Sequence, residues 1–143
     1  MTSLAPGPVD AAAISALLPM PVRRAATAAR FGLTFTHLGV FGGNRPRTLY
    51  AGLDGSEALD RLHALQERLL GRLGLAPEGR RFTPHLSLAR LRDVTPQEVA
   101  GYLGGQGQLQ PLSFEVERFV LYSSRDSVGG GPYVVESAYD LAA

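Results

Sequence analysis

The segment Phe82-Thr83-Pro84-His85-Leu86-Ser87-Leu88-Ala89-Arg90 sets a histidine and a hydroxyl two residues apart at the start of an alternating run. Side chains at i and i+2 leave an extended strand on the same face, so His85 and Ser87 present an imidazole and a hydroxyl together. An imidazole moves protons near neutral pH, and a hydroxyl can donate to a phosphoryl oxygen, so the pair suits phosphate chemistry. Displacement at phosphorus asks for two proton carriers, one for the attacking water and one for the leaving oxygen. His37 lies upstream in another alternating run, but position 39 is glycine rather than serine or threonine. His37 therefore reads as an ordinary strand side chain.

The elements that must hold this pair are legible in outline. Asp10 can cap a short helix carrying Ile14, Leu17 and Leu18, which Pro19 and Pro21 end. Phe31 to Val40 reads as a strand with Phe31, Leu33 and Phe35 on one face. The cluster Gly42-Gly43-Asn44-Arg45-Pro46 turns it into a second strand, Thr48 to Leu53. Asp54 with Glu57 offers a capping-box-like start to a helix in which Leu59, Leu62, Leu65, Leu69, Leu70 and Leu73 keep helical spacing until Gly74 and Pro77. His85 to Leu91 is the next strand, and Thr95-Pro96-Gln97-Glu98 reads as a capping box with proline at the first helical position, opening a helix to about Leu103. Phe114 to Ser123 carries apolar residues on both faces and reads as a central strand. The Gly129-Gly130-Gly131 run lacks the helix start and Lys-Ser/Thr of a phosphate loop, so it reads as a turn into a last strand, Tyr133 to Leu141, with no ATP dependence implied. Strands interleaved with few helices predict an α+β fold, a mainly antiparallel sheet with helices packed on one side.

Composition narrows the class of function. A chain of 143 residues, 45% apolar and 19% charged, is expected to fold as a single domain over 1–143. The net charge is +1, and every basic residue is arginine, which fits either codon bias or bidentate phosphate binding. Arg45, Arg47, Arg80, Arg81 and Arg90 could form a basic rim. The absence of cysteine excludes disulfides, thiolate nucleophiles and cysteine-ligated metals, and three scattered histidines give no basis for a metal site. His63, on the leucine-rich helix, receives no role. No apolar run approaches the roughly 18 residues of a membrane span. Residues 11–20 lack the preceding basic residue of a secretory signal, so a cytoplasmic protein is expected, without contact with a membrane.

The flanks make the histidine segment specific. Gly79-Arg80-Arg81-Phe82-Thr83-Pro84 before it and Leu88-Ala89-Arg90 after it resemble the second signature of the two-histidine phosphoesterases, the LigT-like or 2′-5′ RNA ligase family. Leu38 to Gly43, Arg45-Pro46-Arg47, the leucine-rich helix and Phe114 to Ser124 follow in that family's order, so the resemblance covers roughly residues 30–141. It implies a pseudo-twofold pair of lobes, each giving one H-x-T/S motif on a central strand. It also implies hydrolysis of RNA 2′,3′-cyclic phosphate to a 2′-phosphomonoester, in a family also linked to 2′-5′ RNA ligation, without a cofactor. The implied partners are RNA ends or nucleotides bearing 2′,3′-cyclic phosphate.

Carried onto this sequence, the resemblance makes His85 one acid/base and Ser87 a phosphate-binding hydroxyl, with Arg90, Phe82 and Tyr133 as RNA contacts. It likens Phe31 to Phe41 to the strand after the first motif, so only one of two motifs is present. The family's first strand, first helix and first-motif strand are then expected before residue 1. Residues 1–30 would be a divergent or truncated segment and 31–141 the family-like region. A chain this short would leave strand edges uncovered and favour self-association. Two readings follow: a cyclic phosphodiesterase whose second histidine comes from sequence before residue 1 or else is His37, or an inactive remnant that binds RNA ends or nucleotides.

Overall fold

Among the described residues, local sequence signals set the elements and long-range pairing sorts them into two sheets. The computed structural model describes residues 28–77, 79–106, 109–124 and 133–143. The elements are β1 (Phe31–Phe41), β2 (Thr48–Leu53), α1 (Glu57–Arg72), β3 (His85–Arg90), α2 (Pro96–Gln106), β4 (Leu112–Val116), β5 (Arg118–Ser124) and β6 (Tyr133–Asp140). One sheet has the order β3-β2-β1-β4, and β5 pairs with β6 in a second. The pairs β1–β2, β2–β3 and β5–β6 are all antiparallel. The fold is α+β with a mostly antiparallel sheet. The helix expected from Asp10 and the turn expected at Gly129 to Gly131 lie outside the described residues.

The chain divides into two compact units. The first holds Gly32–Ser56 and Arg80–Phe114, hence most of the four-stranded sheet and α2. The second holds Glu57–Gly79 and Glu115–Ala143, hence α1 and the β5–β6 pair, with Phe31. In the second unit Leu62 and Leu69 of α1 form a buried cluster, lined by Phe31, Leu65 and Phe119. That cluster follows from the leucine spacing, which lays one apolar stripe along α1. In the first unit Leu33 and Ala51 are buried on the sheet.

The β1–β2 hairpin closes as its composition requires. Gly42 and Gly43 take φ of 119° and 52°, values that side-chain-bearing residues avoid. Arg45 N–H donates to the Gly42 carbonyl at 2.9 Å and Arg47 N–H to that of Phe41 at 2.8 Å. α1 stops at a glycine: Gly74 has φ 80°, its N–H donates to the Gly71 carbonyl, and Leu75 N–H reaches back to Leu70. This pair of bonds satisfies carbonyls that the helix end would otherwise leave open. α2 opens with the expected capping box and runs on to Gln106. Thr95 N–H and hydroxyl both donate to a Glu98 carboxylate oxygen at 2.8 Å, and Glu98 N–H returns to the Thr95 hydroxyl at 3.3 Å.

Two expectations change. The strand placed over Phe114 to Ser123 is two strands in different sheets, β4 and β5, parted at Glu117. The apolar phase slips there, from Phe114 and Val116 at even positions to Phe119 and Leu121 at odd ones. What resembled a strand covered on both faces is a strand that changes sheets. The Glu117 carbonyl accepts Leu141 N–H at 2.7 Å, and its carboxylate lies 3.5 Å from Arg30. Among the described residues, β4 and β3 stand at the two ends of the four-stranded sheet. Asp54, expected to cap α1, precedes the helix start at Glu57 and instead accepts a hydrogen bond from Thr36 at 2.8 Å. Among the described residues, no helix is long and apolar enough to cross a membrane.

Two outcomes test this frame. Donors from the Thr95 backbone and then its side chain hold the Glu98 carboxyl below the ordinary carboxylate value. The folded value is thus below the unfolded one, so the cap stabilises above the unfolded value and is lost as pH falls through the folded value. Thermal unfolding followed across the acid range will show this component in the natural chain and lose it in Glu98→Gln. Gly74→Ala, which forces a methyl-bearing residue to positive φ, will cost about 1 kcal/mol in urea unfolding.

Candidate functional site

In an antiparallel pair, residues directly opposite one another project from the same face. Gly52 on β2 is opposite His37 on β1 and His85 on β3, so it stands between the two histidines in one row. The next row on that face is Gly39, Tyr50 and Ser87. Beyond it come Phe41, Thr48 and Arg90. One face of three strands therefore carries two imidazoles, a serine hydroxyl, a guanidinium and two aromatic rings.

The two glycines make this crowding possible. A methyl group built at Gly39 would strike the Tyr50 ring, its hydroxyl 2.5 Å away, and one built at Gly52 would strike the His37 ring. Each ring lies over the glycine of the neighbouring strand, where any side chain would exclude it. Tyr50 stacks on Phe41 with centroids 4.1 Å apart and planes 20° from parallel. His85 meets both rings edge-on, at 4.8 Å from Phe41 and 5.6 Å from Tyr50. Such arrangements place ring edges against π faces and hold the imidazole by its sides.

Two bulges set which side chains join the face. On β1, Phe35 pairs with Leu53 and His37 with Gly52, leaving Thr36 as the extra residue. Strict alternation would put His37 on the apolar face of Leu33 and Phe35. The bulge turns it to the opposite face, beside the side chain of Thr36. On β3, Ser87 pairs with Tyr50 and Ala89 with Leu49, leaving Leu88 as the extra residue. His85 and Arg90 are an odd number of positions apart, and this second bulge brings them to one face.

Hydrogen bonds orient both rings. His85 Nδ1 lies 2.7 Å from the Thr83 carbonyl oxygen. A carbonyl can only accept, so Nδ1 carries the proton and Nε2 is the nitrogen left for a ligand. His37 Nδ1 lies 3.1 Å from the Thr36 hydroxyl, which donates its proton to Asp54 Oδ1 at 2.8 Å. With that proton committed, the hydroxyl oxygen accepts from His37 Nδ1–H, and Nε2 of His37 lies over Gly52.

The residues singled out in the sequence are brought together only in part. His85, half-buried, shares its face with the exposed Ser87 and Arg90. Phe82 is half-buried in the segment leading into β3. Tyr133 belongs to the second unit, exposed at the start of β6 and edge-on to Tyr122 at 6.4 Å. Arg45, Arg47, Arg80 and Arg81 are all exposed. His63 lies on α1, 3.9 Å from Glu67. Sequence reasoning passed over Tyr50, Phe41 and the Thr36–Asp54 pair. Its available signal was the glycine inside each of two neighbouring strands, a mark of close approach. Among the described residues, no cluster of three or more His, Cys, Asp or Glu could hold a metal ion.

Known proteins were compared with this chain at three levels. The family model described as the 2′-5′ RNA ligase superfamily matches residues 1–127. No curated protein matches the sequence. Among solved structures, Escherichia coli LigT complexed with 3′-AMP is similar, with a TM-score of 0.71 and 22% identity, over 94% of this chain and 72% of that one. A protein described as a phosphoesterase gives a TM-score of 0.70 and 22% identity, over 94% of this chain and 72% of its own. TT0787 of Thermus thermophilus gives 0.64 and 25%, over 94% and 73%. These likenesses extend through the fold.

The packing of rings on glycines has a direct test. Gly52→Ala will destabilise the chain by about 1–3 kcal/mol in urea unfolding, the cost of forcing a methyl into filled space. It will also move the His37 ring resonances in NMR spectra. An unchanged midpoint and unchanged His37 resonances would contradict this packing.

Proposed function

Since the chain belongs to the 2′-5′ RNA ligase superfamily of two-histidine phosphoesterases, we propose that it opens 2′,3′-cyclic phosphate at RNA ends or on nucleotides. The product is a 2′-phosphomonoester. Water oxygen bonds to phosphorus, the P–O3′ bond breaks, and O3′ leaves with a proton. His85 Nε2 carries one of the two proton transfers, and the Ser87 hydroxyl donates to a phosphoryl oxygen as its charge grows. Arg90, on the same face, adds positive charge that draws phosphate in. Phe82 and Tyr133 are proposed to touch the RNA, and the reaction needs no cofactor. A cytoplasmic setting, where RNA ends are generated, is part of this proposal.

One observation carries the reading. The Thr83 carbonyl takes up His85 Nδ1, which leaves Nε2 as the working nitrogen on the face that also holds Ser87. Support also comes from the fold neighbour LigT, whose crystal structure holds 3′-AMP, a nucleotide with a terminal phosphate. The second reading, binding of RNA ends without turnover, rests on the single H-x-T/S motif among the 143 residues.

Conversion of a 2′,3′-cyclic dinucleotide end to its 2′-phosphomonoester, followed by chromatography, separates the two. Hydrolysis is expected to persist in EDTA and to fall by about 10²–10⁴ in His85→Ala. Ser87→Ala should fall by about 10²–10³ in kcat. Binding of the cyclic end with no product would favour the remnant reading, and a fully active His85→Ala would remove His85 from the chemistry.

A further inference from the structure

We infer that Tyr50 and Phe41 are positioning residues for His85, and that Gly39, two strands away from His85, is what seats them. The inference rests on the phosphodiesterase reading for what His85 does, and on ring geometry for how His85 is held. All four residues belong to the first unit. His85 opens β3, at one end of the four-stranded sheet, with its Nδ1 bonded to the Thr83 carbonyl at 2.7 Å. That bond fixes the tautomer and anchors one point of the ring. The imidazole could still swing about that point, so its plane has to be set by other contacts.

Two aromatic rings supply them. Phe41, on β1, meets the imidazole at 4.8 Å with the planes 78° apart, and Tyr50, on β2, meets it at 5.6 Å and 65°. The two are themselves stacked, 4.1 Å between centroids, so they form one block against which the imidazole rests. With Nδ1 pinned and two rings edge-on, the plane of the imidazole is set as well as its tautomer. His85 is accordingly half-buried, while Ser87 and Arg90 on the same strand are exposed. The aim of Nε2 then does not have to be found anew for each proton transfer, and a reacting group misplaced by about 1 Å can cost on the order of 10²-fold in rate.

The block depends on Gly39. Tyr50 is opposite Gly39 on β1 and Ser87 on β3. Its ring leans toward β1, where a Cβ at position 39 would lie 2.5 Å from the Tyr50 hydroxyl and 2.9 Å from a ring carbon. This lean brings the ring onto Phe41, two residues along β1, and leaves the Ser87 hydroxyl uncovered for phosphate. A methyl at position 39 would take the place of the ring, and the stack would part. Gly39 thereby acts on His85 through Tyr50.

Hydrolysis of 2′,3′-cyclic AMP reads the effect on rate. Tyr50→Val keeps a strand-forming residue but removes the ring, and should lower kcat by about 10–10²-fold with little change in KM, because Ser87 and Arg90 stay in place. Tyr50→Phe, which restores the ring, should recover the natural kcat. Gly39→Ala should lower kcat as Tyr50→Val does, and the double variant should fall no further than Tyr50→Val alone, since both changes act through one ring. A second readout needs no activity. The NMR order parameter of the His85 ring Cε1–H should stand near the rigid value of about 0.85 in the natural chain and drop toward about 0.6 in Tyr50→Val and in Gly39→Ala. A His85 ring as well ordered in a folded Tyr50→Val as in the natural chain would overturn the inference, and so would an unchanged kcat in that variant of an active chain. Additive losses in the double variant would overturn the part given to Gly39. If Gly39→Ala does not fold, adding Tyr50→Val, which vacates the space, should restore folding, and failure to do so would refute the seat at Gly39. A natural chain that turns over no cyclic phosphate, but whose His85 ring loosens in Tyr50→Val and not in Tyr50→Phe, would refute the phosphodiesterase reading and leave the positioning of His85 standing.

Discussion

The candidate site depends on a missing side chain. Gly52 sits in the middle of three strands and is opposite a histidine on each side. On a filled sheet face, opposing Cβ atoms stand about 5 Å apart, and no ring can lie flat between them. With hydrogen at position 52, the His37 ring occupies that gap, and with hydrogen at position 39 the Tyr50 ring does the same. Glycine within a strand costs roughly 0.5–1 kcal/mol in chain entropy. Ring stacking worth about 0.5–1.5 kcal/mol per pair offsets it, as between Phe41 and Tyr50. The balance is close to neutral in stability, so what these glycines contribute is placement.

The bulges act on the same face by a different route. Each leaves one residue, Thr36 or Leu88, outside the pairing ladder, which weakens the sheet locally. In exchange β1 reverses the facing of His37, and β3 carries Arg90 round to join His85. Both lie on the strands flanking β2, so the middle strand keeps regular alternation while its neighbours are adjusted to it. The Thr36 bulge also frees a hydroxyl to bridge Asp54 and His37. A carboxylate that resembled a helix cap in the sequence thereby becomes part of the polar support of a ring.

The rest of the described chain is conventional by comparison. α1 ends on a glycine at positive φ, α2 begins on a reciprocal cap, and the Leu62–Leu69 stripe is buried as its periodicity requires. These features use short-range rules, and each was legible from residues within a few positions of one another. The strand predicted across Phe114 to Ser123 failed for the opposite reason. Its two halves are each well formed, but they belong to different sheets, and only pairing with distant partners separates them.

The sequence alone determined the element order apart from the break between β4 and β5, the cap of α2 and the glycine end of α1, the hairpin at Gly42–Gly43, the α+β class and the family, because turns, caps and periodicity are written in neighbouring residues. It also singled out His85 and Ser87, since two side chains two apart on a strand need no tertiary information to share a face. Tertiary structure decided what surrounds them. Whether His37 and Arg90 join His85 depends on two single-residue slips in register, and register is set by the partner strand rather than by the strand itself. A chain read one residue at a time carries the alternation of each strand. Where that alternation is interrupted emerges only when the strands are paired.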